Sequence, residues 1–125
     1  MAAVRDTTAK NIKPLTGAVI RRFTAGAAVV AGEIVAMQAD GKVDPANTTA
    51  AAVVATGIVL DESAGDGDNV DVVVFGPVQC VTGATIGAII HATDTAGEPG
   101  ETAGTNAGKV GWAESATVVF VNPQF

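Results

Sequence analysis

In 125 residues the chain has no tyrosine, one histidine, one cysteine, one tryptophan and two leucines. Each scarcity removes a class of function. Acid–base and nucleophilic catalysis draws on His, Cys, Tyr and activated Ser, which leaves His91, Cys80, Ser63 and Ser115 to carry it. His91 alternates with Ile90 and Ala92 as a strand residue does, and Cys80 sits in an apolar stretch as a small buried hydrophobe. Neither serine lies in a nucleophile-elbow pattern. The residues therefore predict no enzyme, no catalytic group and no cofactor. A single cysteine excludes an internal disulfide and fits synthesis in a reducing cytoplasm. No apolar run reaches the roughly 18 residues of a membrane span. No apolar segment follows Met1–Asp6, so no secretory signal is expected.

What is abundant is small and β-prone. The chain holds 24 Ala, 19 Val, 7 Ile and 15 Gly. Val and Ile lose rotamer freedom in helices and fit a pleated surface, so the composition predicts an all-β fold with many turns. Ala and Gly, 39 of the 125 residues, bury little apolar area each, and at roughly 25 cal/mol per Å² this predicts a thin core. Such a domain gains from oligomerising or docking. The large aromatics are Phe23, Phe75, Trp112, Phe120 and Phe125.

Charge is unevenly placed. Arg5, Lys10, Lys13, Arg21 and Arg22 face only Asp6 within residues 1–22, a local charge of about +4, whereas the remaining residues carry Lys42 and Lys109 against twelve acids. The acidic body disfavours nucleic acid, whose binding depends on cations.

Residues 1–17 are polar and aperiodic and contain Pro14 and Gly17, which predicts an extended N-terminal arm; residues 18–125 form a single β domain. Strands are expected at Ala18–Phe23, Glu33–Met37, Lys42–Asp44, Gly57–Leu60, Val70–Phe75, Val78–Val81, Ile86–Ala92, Lys109–Trp112 and Thr117–Val121. Asp40-Gly41 marks a hairpin turn. Ala50–Thr56 is open between strand and short helix, and residues 93–108 are expected as a long loop. Gly32-Glu33-Ile34-Val35-Ala36 followed by Gly57-Ile58-Val59 parallels Gly87-Ala88-Ile89-Ile90-His91 followed by Gly111-Trp112-Ala113. Glu62-Ser63-Ala64 and Glu114-Ser115-Ala116 follow, then strands ending in Phe75 and Phe120. This predicts two copies of one β motif in a small barrel or sandwich of approximate two-fold symmetry.

The acidic loop with Asp61, Glu62, Asp66, Asp68 and Asp71 lacks the ligand register of a helix-loop-helix calcium site, so no metal is predicted. The glycine loop Gly97, Gly100, Gly104, Gly108 carries Glu98 and Glu101, which argues against a phosphate cradle. Lys42 is not placed at a hairpin tip in the setting of a biotin or lipoyl carrier.

The run Gly-Glu-Ile-Val-Ala, Asp-Gly, Gly-Ile-Val-Leu, Ala-Gly-Asp-Gly, Val-Asp-Val-Val-Val-Phe-Gly-Pro, Gly-Ala-Ile-Ile-His and Lys-Val-Gly-Trp-Ala-Glu-Ser resembles the capsid decoration (cement) proteins of tailed bacteriophages, from about Gly26 to Val121. The resemblance implies a β-tulip-like, non-catalytic virion protein assembled in the host cytoplasm. It implies a homotrimer that sits on the outer capsid surface at capsomer junctions and binds the major capsid protein. An N-terminal arm would reach the shell, with Arg5, Lys10 and Lys13 as its contacts. No nucleic-acid or membrane partner is implied. The alternative is a host- or carbohydrate-binding β module, with Trp112 as the stacking residue.

Overall fold

A computed structural model describes residues 2–63 and 65–123, so Ala64 of the sequence repeat and the aromatic Phe125 lie outside the described residues. The protein is all-β, with no α-helix among the described residues and one 3-10 turn at Ala9–Asn11. Its strands are β1 (Val4–Arg5), β2 (Lys13–Pro14), β3 (Val19–Thr24), β4 (Ile34–Met37), β5 (Val43–Pro45), β6 (Ala55–Val59), β7 (Asn69–Gln79), β8 (Val81–Thr82), β9 (Ile89–Ala92), β10 (Pro99–Gly100), β11 (Lys109–Ala113) and β12 (Val118–Val121). Eight of them form a strongly curled antiparallel half-barrel in the order β10-β9-β11-β12-β7-β6-β4-β5. The two ends of the curl approach each other at Gly97. Its N–H donates to the Ala46 carbonyl at 2.8 Å, and its carbonyl accepts the Ile34 N–H at 2.9 Å.

The pairing scheme is the same on the two sides of β7. In the first half Ile34 lies opposite Ile58, Val35 opposite Gly57 and Ala36 opposite Ala55, with an irregularity after Val35. In the second half Ile89 lies opposite Trp112, Ile90 opposite Gly111 and His91 opposite Lys109, with the irregularity at the matching place. Gly32 and Gly87 turn the chain at φ +91° and +85°. Their N–H groups donate to the carbonyls of Val59 and Ala113, each at 2.8 Å. A Cβ on Gly57 would collide with the Val73 carbonyl, and one on Gly111 with that of Phe120. This register pairs Phe120 with Val73 in role, two residues earlier than the Phe75 that the sequence pattern suggests, and Glu114 with Leu60 rather than Glu62.

Two cores result. Ile34, Ile58 and Val73 point into a larger core, where they meet Ile90, Ala113 and Val119 of the second half. Val35, Val59 and Val72 point the other way, into a smaller core closed by Ala25, Val29 and Val43. The middle of the sheet is buried on both faces, which explains why β4 and β6 read as near-continuous apolar runs rather than alternating ones. The thin core expected from composition takes this form: the largest fully buried side chains are Ile and Val, and no aromatic is among them.

Several boundaries differ from the sequence expectation. Strand β7 continues through Pro77, because Gly76 at φ +103° kinks the strand and β12 still pairs with it from Gly76 to Gln79. Residues 50–54 take no strand or helix, and the long loop expected over residues 93–108 contains the short strand β10.

The described part of the segment expected as an extended arm runs along the body instead. Val4 and Arg5 pair with Thr82 and Val81, the Asp6 N–H donates to the Cys80 carbonyl at 2.9 Å, and Lys13 and Pro14 pair with Gln79 and Val78. The Leu15 N–H reaches the Pro77 carbonyl at 3.0 Å, and Val19 to Thr24 then lie opposite Phe75 to Asn69. Ala3 and Ile12 are buried in the larger core. Two apolar anchors so far apart leave no periodic signal, and backbone pairing leaves none in the side chains at all.

Candidate functional site

The groups with chemistry are scattered. Cys80 is fully buried, and burial pushes its thiol up to about 12, so it holds its proton and is a poor nucleophile. His91 is half-buried on β9 between Gly100 and Lys109, with Nδ1 unpartnered. Burial first, then the Lys109 charge, lowers its pKa, which favours the neutral imidazole. No hydrogen bond joins His91 to Cys80 among the described residues. The Ser63 hydroxyl faces the Asp68 carboxylate at 3.0 Å and the Gly65 carbonyl at 2.9 Å, and Ser115 accepts the N–H groups of Thr117 and Val118 at 3.2 Å each. Both serines shape turns.

The carboxylates of the acidic loop are engaged separately. Asp61 accepts the Asp71 N–H at 2.8 Å, Asp71 pairs with Arg22 at 3.1 Å, and Asp66 pairs with Lys42 at 2.7 Å. No cluster of three His, Cys, Asp or Glu side chains suited to a metal occurs among the described residues. In the glycine loop Gly104 packs against Thr48 and Asp94, and the Asp94 carboxylate accepts bonds from the Thr48 hydroxyl at 2.8 Å and the Thr105 N–H at 3.0 Å. These bonds, the one from the Thr105 hydroxyl foremost, hold the Asp94 carboxyl below its ordinary range. They fasten a loop and leave no anion cradle.

The three basic residues expected as shell contacts separate. Arg5 donates through Nε to Glu98 at 2.7 Å, with its side chain only 15% exposed, so it holds β1 down. Beside it Glu33 is buried under Gly97 and accepts the Val30 N–H at 2.8 Å. Lys10 and Lys13 stay exposed, without an ion pair among the described residues.

What the structure does assemble is an apolar ladder on the outer side of the sheet. Val19 of β3 lies opposite Phe75 of β7. Phe75 meets Phe120 of β12 edge-on, with ring centres 5.2 Å apart, and Phe120 stacks on its cross-strand partner Trp112, also at 5.2 Å. Trp112 lies opposite Ile89 of β9. The row crosses five strands, about 19 Å at the usual strand spacing. It remains open: Val19 is 48% exposed, Phe75 46%, Trp112 40% and Ile89 46%. Beside Phe75 opens a groove of about 940 Å³ walled by Met37, Pro45, Val53, Val54 and Pro123.

Sequence reasoning singled out Trp112 alone from this surface. The signal was present for Ile89 in the alternation along β9, where Ile90 and Ala92 are buried. Along β11 the irregularity between Lys109 and Gly111 breaks the alternation, so that Val110 is buried and Trp112 exposed two residues later. Which face is outward depends on the kink at Gly76, and that is not written in either strand.

Comparisons with protein-family models, with curated proteins and with solved structures returned no match.

Proposed function

We propose that this chain is a non-catalytic structural module, a capsid decoration protein that clamps the outer surface of a tailed-phage head at capsomer junctions as a homotrimer. The observation that carries the docking role is the apolar ladder Val19–Phe75–Phe120–Trp112–Ile89, a contiguous surface of a kind that marks interaction sites in proteins. A ladder this narrow is smaller than the roughly 800 Å² per partner of a stable two-body interface. Many copies on a symmetric lattice convert such modest contacts into firm attachment. The composition supports the reading as well, since a thin Ala/Val core gains from burial against a partner. Exposed Lys10 and Lys13 add cations at the flank of the molecule.

A second reading rests on Trp112, a residue 40% exposed beside a small pocket with Lys109 and Asn122, a placement that suits stacking on a sugar.

Light scattering of the purified protein, followed by co-sedimentation with expanded, undecorated phage shells, tests the proposal. A trimer that sediments with shells is expected, and Trp112→Thr with Ile89→Thr should abolish sedimentation while the fold is kept. A well-folded monomer that ignores shells rejects it, and binding of glycans by that monomer would favour the second reading.

A further inference from the structure

The N-terminal edge of the molecule carries a second surface, distinct in chemistry from the ladder. Strand β3 pairs with β7 alone, and its outer side meets no other strand among the described residues until Ala25, which bridges to Val43. From Val19 to Arg22 all four residues are exposed, two of them apolar and two cationic. Arg22 is paired with Asp71, whereas Arg21 has no carboxylate partner among the described residues and lies over the Phe23 ring at 5.7 Å. Lys13, also unpaired, continues the same line along β7, opposite Gln79 while Arg21 is opposite Val72. The free cations of this edge are thus strung along one strand line on a chain whose other residues are strongly acidic.

An open edge presents unpaired N–H and C=O groups to any extended segment. Charges on the edge decide which segment. A second copy pairing antiparallel through β3 would bring Arg21 and Arg22 against their own kind, a like-charge arrangement that selects against self-addition. We propose that the β3 edge accepts an extended acidic segment of a partner protein as an added strand, with Arg21 and Lys13 facing its carboxylates. The exposed pair Val19 and Ile20 supplies apolar contact at the end of the strand where the ladder begins. This surface goes beyond the ladder and does not depend on a phage shell being the partner.

The test uses the full chain, labelled with nitrogen-15, and three end-blocked synthetic peptides: alternating Val and Glu, alternating Val and Lys, and an equally acidic Glu/Pro/Gly peptide that cannot form a strand. The Val/Glu peptide should shift the amide signals of residues 19–24 and slow their hydrogen exchange, and Arg21→Glu should weaken its binding at least tenfold. The Val/Lys and Glu/Pro/Gly peptides should do neither. No response to the Val/Glu peptide at millimolar concentration overturns the proposal. So does an equal response to the Glu/Pro/Gly peptide, which would mean charge attraction alone, or a response confined to Phe75, Trp112 and Ile89. Shell sedimentation is read separately, so failure of either proposal leaves the other standing.

Discussion

The two halves of the sheet, β4 to β7 and β9 to β12, share a hydrogen-bonding scheme and differ in what covers them. In the first half Ile34, Ile58 and Val73 project into the larger core, which they share with Ile90, Ala113 and Val119 of the second half. In the second half the residues at the same registers are Ile89, Trp112 and Phe120. Ile89 and Trp112 are exposed, Phe120 is half-buried between its ring neighbours, and none of the three belongs to a core among the described residues. The side chains answer to the difference. Medium aliphatics fill the covered positions, while larger rings stand on the uncovered side and stack on one another. One backbone arrangement therefore serves twice, once as interior and once as exposed surface. The kink at Gly76 decides which is which, because Val73 and Val78 face the same larger core on either side of it although a spacing of five residues would place them on opposite faces of a regular strand.

The sharpest way to break this comparison is at the two matched glycines. Gly57→Ala and Gly111→Ala each drive a methyl group onto a carbonyl oxygen, and each should cost about 3 kcal/mol or more. Urea unfolding checks the pair; losses that differ widely would mean that the halves do not use their glycines alike. The covered and uncovered positions separate next. Ile58→Ala empties a fully buried site and should cost about 2–5 kcal/mol. Trp112→Ala at the matching register loses a stacked ring and should cost only about 1 kcal/mol, while removing attachment to a partner. Equal stability losses would refute the distinction.

The smallest effect concerns Glu33, whose counterpart is Ala88. Burial, partly opposed by the Val30 N–H and the Arg5 charge, raises the Glu33 carboxyl above its ordinary value of 4.5. The folded protein then holds this proton at pH values where the unfolded chain has released it. The group favours the folded state fully below pH 4.5, and that contribution is lost as pH rises through the higher folded value. Glu33→Gln should flatten the dependence of the urea midpoint on pH just above 4.5. An unchanged slope would place the dependence on other groups.

The all-β class and most strands were legible because Val and Ile runs bounded by glycine carry their own conformational preference. The glycines were legible as a pattern, since Gly32 with Gly57 recurs as Gly87 with Gly111. Their reason, a close approach to a carbonyl across the strand, required the register. The N-terminal segment was misleading. Its hold on the body comes from backbone pairing and from Arg5, which answers Glu98 at a separation of 93 residues. The ladder as a unit was not legible for a related cause: its five members come from five strands and become neighbours only when the sheet is assembled.

The path of the N-terminal segment also governs how the chain reaches its shape. Val4 finds its partner at Thr82, and Thr24 finds its own at Asn69. Residues 4–24 must wait for residues 69–82 before they can be placed. Closing so wide a loop costs entropy before any bond rewards it, and topologies of this kind fold slowly. Until that closure the long edge of β7 stands bare, so the interval before the N-terminal segment settles is when the nascent protein is most open to pairing with the wrong neighbour.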